Sequence, residues 1–179
     1  MADQHIPFLT ICMREGGHLR YWFDTEFQDD GLTIALISIG VVAEDGREYY
    51  AVSSDYDPGR ATNWLLQNVI PQLGEGEKKP RKHIRRELET FLSREGTPEF
   101  WAECGEYDWI VLRQLFGTLT DWPQGWPFLA MDIEQWRLHL GAPPFQAQSS
   151  GLHNALEDAR ATRARWQWLV QLAQGVKPC

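Results

Sequence analysis

Residues 20–57 read RYWFDTEFQDDGLTIALISIGVVAEDGREYYAVSSDYD, and this stretch decides the fold. Leu19 to Phe23 is apolar and aromatic-rich, the composition of a strand. Thr33 to Ala43 is β-branched and almost wholly apolar, as in a strand covered on both faces. Asp45-Gly46 is a hairpin signal, and Arg47 to Ser53 reads as the returning antiparallel strand. Three successive strands therefore open the fold.

Helical spacing takes over beyond this stretch. Pro58 to Asn68 is predicted as one helix, with Asp57 as its N-cap and proline in its first turn. The polar segment Gly74 to Pro80 reads as a loop. Arg81 to Ser93 resumes helical period through Ile84, Leu88, Phe91 and Leu92. A short strand is expected over Glu99 to Ala102 and a helix from about Tyr107 to Phe116. A last short strand is expected at Phe128 to Met131, then a helix from Ile133 to Leu140. Gly141 to Ser150 reads as irregular, and Leu152 to Ala173 is the longest helical pattern. Strands first, then helices alternating with short strands, imply an α/β layered domain with a mixed sheet. Residues 19–175 are read as one domain, and residues 1–18, with no sustained period, as an extension.

Composition narrows the class. A chain of 179 residues with 43% hydrophobic and 23% charged residues can bury a core without staples. Nine tryptophans are too many to leave in water, so most are expected in the core. No apolar run approaches the roughly 20 residues of a membrane span. The acidic N-terminus does not read as a signal peptide. Cys12, Cys104 and Cys179 are odd in number and widely spaced, which argues against disulfide or zinc frameworks and suggests a reducing cytoplasm. A net charge of −8 argues against holding nucleic acid by bulk electrostatics. It leaves open a nuclease whose acids gather cations, because bound cations invert the local sign.

Three acidic signals stand out. Asp24 and Glu26 close the first strand, and i, i+2 spacing on a strand projects both carboxylates from one face. Asp108 opens the middle helix in EYDWIVL, where an acid in the first turn is also favoured by the macrodipole. His153 and Asp158 lie in HNALEDARAT. Five helical residues turn through 500°, leaving the two about 140° apart. They can meet only if His153 precedes the helix while Asp158 lies one turn inside it. Ala155, Ala159 and Ala161 keep one surface of that helix slim. Taken singly, each signal also fits a solvated loop, a helix cap or a structural histidine.

Taken together, Asp-x-Glu on a first strand, Tyr-Asp opening a middle helix and His-x4-Asp on a late helix resemble the DEDDh 3′→5′ exonucleases. The run from Arg20 to Asp57 is similar to the bacterial branch of the polyadenylate-specific exoribonuclease AS family, and the likeness extends over about Leu19 to Trp168. The resemblance implies a ribonuclease H-like, three-layer domain with a mixed, mainly five-stranded sheet. It implies two Mg²⁺ or Mn²⁺ ions held by Asp24, Glu26, Asp108 and Asp158, with His153 as general base. Glu26, Phe27 and His153 would meet the substrate's terminal nucleotide. The implied substrate is an RNA 3′ end, released as AMP or another nucleoside 5′-monophosphate. An adenylate preference and a homodimer are further implications. Where many DEDDh proteins carry His-Asn before the middle Asp, this chain has Glu103 and Cys104. Hard cations suit carboxylate oxygens, and an imidazole with a free pKa near 6.5 suits a general base.

Two further features are charged or aromatic. Lys78, Lys79, Arg81, Lys82, Arg85 and Arg86 form a basic run, readable as a guide for RNA or as a solvated helix face. The Trp122/Trp126 loop reads as core or as a base-stacking platform, and Arg160, Arg163 and Arg165 as solvent-facing partners of acids. A DNA-preferring exonuclease and a non-catalytic RNA- or nucleotide-binding domain of the same fold are the competing functions.

Overall fold

The computed structural model describes residues 18–93, 96–146 and 152–175. Residues 1–17 of the expected extension lie outside it, as do Cys12, Cys179 and part of the irregular stretch before Leu152. Three strands come first: β1 (His18–Asp29), β2 (Ile34–Ala43) and β3 (Glu48–Ser53). The β2–β3 hairpin turns as expected, with the Gly46 N–H donating to the Ala43 carbonyl and Gly46 at φ 87°, a conformation open to glycine. Next come α1 (Asn63–Asn68), β4 (Lys78–Lys79), α2 (Arg81–Leu92), β5 (Thr97–Ala102) and α3 (Glu106–Phe116). β6 (Met131–Asp132), α4 (Ile133–His139) and α5 (Ala155–Ala173) complete the chain.

The sheet has six strands in the order β4-β3-β2-β1-β5-β6. Only β2 runs against its neighbours; β3–β4, β1–β5 and β5–β6 are parallel. This is the ribonuclease H-like α/β arrangement, with one strand more than the five expected. The sixth is Lys78–Lys79, inside the segment read as a loop, because a two-residue strand has too little pattern to register. α2 and α3 cover one face, where Tyr21, Phe23, Ile39, Ile84, Leu88 and Leu112 form the main core. α5 covers the other, over Trp22, Trp101 and Leu169.

Strand β1 is longer than expected and carries Asp24 and Glu26 within it, not at its end. Pro58 to Asn68 is not one helix. A 3-10 turn at Pro58–Arg60 is followed by extended residues, and the Thr62 side chain then caps α1 by accepting from the Leu65 N–H. The last strand starts at Met131, and Phe128 and Leu129 before it are exposed. The Trp122/Trp126 loop packs into the core against Phe100 and Phe116. Among the described residues, no helix is long and apolar enough to cross a membrane.

Candidate active site

Chain order runs from β1 outward through β2, β3 and β4, then restarts on the other side of β1 with β5 and β6. The carboxyl end of β1 is thus where the sheet changes direction, the place at which α/β sheets open a crevice. β5 pairs with β1 only as far as Trp22↔Trp101, while β1 pairs with β2 to Asp29. Beyond Trp22, the edge of β1 facing β5 is open.

Asp108, in the first turn of α3, fills that opening. Its Oδ1 accepts from the Thr25 N–H at 2.9 Å and from Thr25 Oγ1 at 2.6 Å. The capping role holds alongside this tie: Asp108 is an acid of the first turn of α3 and also accepts from its own backbone N–H. Nothing in the sequence marks Thr25, yet it ties the middle acid to the strand between the first two. Asp24 and Glu26 point together from the opposite face. A register shift between Glu26 and Phe27 leaves Ile37 of β2 as the extra residue, and a bulge there sharpens the strand's twist beside Glu26.

The third acid arrives on α5. Gly40 lies opposite Asp24 in the β1–β2 register. A Cβ on Gly40 would overlap the Ala155 carbonyl and the Leu156 nitrogen, so the start of α5 rests on bare backbone. Ala155, Ala159 and Thr162 form the buried stripe at i, i+4, i+7. Ala161, expected in the slim face, lies off it and is only half-buried. The glycine within an apolar strand joins the small residues of α5 as a sequence signal for this close approach.

His153 precedes the helix, as the spacing argument requires. It sits at φ 63°, left-handed backbone that costs energy without a partner. The Asp158 carboxylate accepts from its N–H at 2.9 Å, and Asn154 caps α5 by accepting from the Leu156 and Glu157 N–H groups. This turn explains why α5 begins at Ala155 and not at Leu152. The His153 ring meets the Trp64 ring edge-on, with centroids 4.9 Å apart. Trp64, 52% exposed, is not marked by the sequence either; an aromatic at the start of a short helix looks like core. On the strand side, Phe27 stacks on half-exposed Tyr107 at 5.6 Å.

Asp24, Glu26 and Asp158 each present a carboxylate oxygen, and these atoms all lie within 4.8 Å of one another. Asp108 stands beside this group, tied to it through Thr25, and His153 is tied to it through Asp158. Burial raises the Asp24 pKa well above the usual range, and Asp108, Glu26, Asp158 and Glu103 push it the same way. Burial, then Asp158 and Asp108, raise Glu26 to about 8. Asp108 is also raised by burial, against hydrogen bonds from Thr25. None of the influences on Asp24 or Glu26 is a neighbouring cation. Converging carboxylates that raise one another's pKa suit a hard divalent cation.

Around the site, Glu103 pairs with Arg165 and so joins the end of β5 to α5. Arg160 pairs with Glu48 and Glu157. Arg163 is not the solvent-facing ion-pair partner expected of it: it is half-buried, lies over the Trp22 ring and donates to the Glu44 carbonyl.

The raised Glu26 pKa has a consequence for stability. A carboxyl raised from 4.5 to about 8 on folding binds its proton more tightly in the folded chain. The stability it contributes is full below 4.5 and is lost as pH rises through about 8. At about 1.4 kcal/mol per pH unit, the scale is a few kcal/mol. In chelator, the melting temperature should therefore fall across this window, and Glu26→Gln should flatten the fall. A chelated wild type that gains stability from acid to neutral pH would contradict the arrangement.

Known proteins resemble the chain over most of its length. The family model described as the 3'-5' exoribonuclease Rv2179c-like domain matches residues 19–170. Two relatives from Mycobacterium tuberculosis strains, 3'-5' exoribonuclease Rv2179c (H37Rv) and 3'-5' exoribonuclease MT2234.1 (CDC 1551), are each 44% identical over 157 residues, covering 85% of this chain and 94% of theirs. With the acids of β1, α3 and α5 brought together beside the carboxyl half of β1 and most of its length matched, the chain belongs to the Rv2179c-like 3'-5' exoribonuclease domain family.

Proposed function

We propose that this protein is a divalent-cation-dependent 3′→5′ exoribonuclease of the DEDDh type, related to the RNase AS branch, removing nucleoside 5′-monophosphates from RNA 3′ ends. The single observation that carries the reading is the convergence of the Asp24, Glu26 and Asp158 carboxylate oxygens within 4.8 Å. The names of the family and of the mycobacterial relatives support the substrate class.

Asp24, Glu26 and Asp158, with Asp108 alongside, would hold two Mg²⁺ or Mn²⁺ ions. Once bound, such a pair activates water, offsets charge on the scissile phosphate and stabilises the leaving oxygen. His153 takes the proton from the attacking water. The new bond forms from that water's oxygen to phosphorus, and the bond from phosphorus to the preceding 3′ oxygen breaks. The shortened strand keeps a 3′-hydroxyl, and one nucleoside 5′-monophosphate leaves. Glu26 and the backbone at Phe27 would receive the terminal ribose hydroxyls; recognition of the 2′-hydroxyl is what would favour RNA. An adenylate preference and a homodimer stay part of this reading on family resemblance alone.

Aromatic walls flank the carboxylates, with Phe27 and Tyr107 on the strand side and Trp64 beside His153. Base–aromatic stacking is worth about 1–3 kcal/mol per base. Trp64→Ala should raise KM for short RNA by roughly 5–150-fold on that scale, with a smaller change in kcat. A kcat loss at constant KM would instead make Trp64 a support for His153.

The test of the function is digestion of 5′-labelled RNA with free or blocked 3′ ends, with and without chelator. Stepwise shortening of the unblocked strand alone, abolished by chelation, is expected. Endonucleolytic products, or cleavage indifferent to chelator, would overturn it.

A further inference from the structure

The active site leaves the basic run at 78–86 unused, and it differs from most of the other described cations, Arg113 and Arg163 excepted, which lie over aromatic rings. Arg20, Arg47, Arg60, Arg137, Arg160 and Arg165 each pair with a carboxylate. In the run, only Lys79 does so, with Glu87. Arg81 donates to the Gln114 carbonyl, Arg85 lies over the Phe116 ring and Lys78 over the Tyr56 ring. The exposed Lys82 and Arg86 side chains make no ion pair or hydrogen bond among the described residues. Arg81/Arg85 and Lys82/Arg86 are like-charge pairs at i, i+4, which cost helix stability. A helix in a chain of net charge −8 that keeps unneutralised cations at this spacing is complementary to a polyanion.

The surrounding shape suits an extended one. β4 pairs only with Val52 and Ser53, so among the described residues no strand pairs with the outer edge of β3 from Glu48 to Ala51. Between that edge and α2 lies a groove of about 1050 Å³, lined by Arg47, Tyr49, Lys79, His83, Arg86 and Phe91. Its acids, Glu48 and Glu87, are neutralised by Arg160 and Lys79. Glu26, Ser38, Val52 and Lys78 occupy one row across four strands. At about 4.8 Å per strand, Lys78 lies roughly 14 Å from Glu26. Lys79, next to Lys78, lines the groove on the α2 side of the sheet, so an RNA strand would reach the carboxylates on the α5 side by passing around the β3–β4 edge.

We propose that the groove between α2 and β3 binds the phosphodiester backbone of the RNA upstream of its 3′ end, with Arg86 in its lining and the exposed Lys82 one turn before it on α2. This inference rests on the exoribonuclease reading, and a length comparison separates the two. The test uses Lys82→Glu/Arg86→Glu in the full chain, assayed on a ribodinucleotide and on a single-stranded RNA of about 12–16 nucleotides. The variant should raise KM for the long strand roughly tenfold by losing phosphate contacts, with kcat and dinucleotide hydrolysis unchanged. Each lost contact removes about 0.7 from the salt slope, so the slope should flatten by at least about 1.4. Anisotropy of a 3′-blocked long RNA in chelator gives a second measurement, independent of cleavage. If the wild type cleaves neither RNA yet binds the blocked strand and the variant does not, the enzymatic reading falls and the groove stands. Equal effects on both RNA lengths, or none on long-strand KM and binding, would overturn the groove and leave this face to a partner other than RNA.

Discussion

Asp24→Asn should abolish cation-dependent RNA hydrolysis while raising the melting temperature of the chelated protein. The two effects have one cause. Asp24 is pressed by burial and by Asp108, Glu26, Asp158 and Glu103, all acting to disfavour its charge. A neutral amide of the same shape removes that repulsion. Relief of about 1–2 kcal/mol would appear as a rise of roughly 2–8 °C in a chain of this size. The amide is a poor replacement for a charged ligand to a hard cation. Outer partners of a metal ligand carry about 10–100-fold in affinity or activity, and a ligand itself should carry more. Mg²⁺ or Mn²⁺ should accordingly stabilise the wild type and leave the variant's melting curve unmoved. A variant that melts lower in chelator, or still cleaves, would show that Asp24 is not the repelled centre of a cation site.

Gly40→Ala should be the most damaging single-methyl change outside the carboxylates. The new Cβ meets the backbone of Ala155 and Leu156, and a backbone cannot rotate away as a side chain can. The first turn of α5 must lift. Overpacking of this kind costs about 1–3 kcal/mol. More specifically, Asp158 and the His153 turn ride on that helix start, while Asp24 lies opposite Gly40 in the sheet. Cation binding and cleavage should therefore fall together, beyond what lost stability explains. Val42→Ala, a buried truncation two residues along β2, is the control: it should lower the melting temperature and spare the cation response. Calorimetric Mn²⁺ titration distinguishes them. Wild-type Mn²⁺ affinity in Gly40→Ala would refute the seat.

Much of the fold is legible in the sequence. Period and composition locate the hairpin from Thr33 to Ser53, because a buried β-branched run with Asp-Gly at its end has few other solutions. They locate Arg81–Leu92 within one residue, because the apolar stripe of Ile84, Leu88 and Leu92 repeats with the helix. They fail where the pattern is too short or the decision lies elsewhere. Lys78–Lys79 is a strand only because β3 offers it a partner. Pro58 to Asn68 divides because Thr62 caps a new helix. Phe128 and Leu129, apolar enough for a strand, are left exposed ahead of β6.

The candidate site divides along the same line. Local sequence by itself determined that Asp24 and Glu26 share a strand face and that His153 must precede the helix if it is to meet Asp158, while the resemblance joined these residues to Asp108. Tertiary structure alone decided that these pieces meet. β5 stops pairing with β1 at Trp22, so Asp108 can take the Thr25 N–H; Gly40 lets α5 settle onto β2; Trp64 comes to rest against His153. Periodicity reports which side of an element is apolar, a property of neighbours along the chain. The distance between two elements depends on register and close packing among residues far apart in sequence, and no short window of residues contains it.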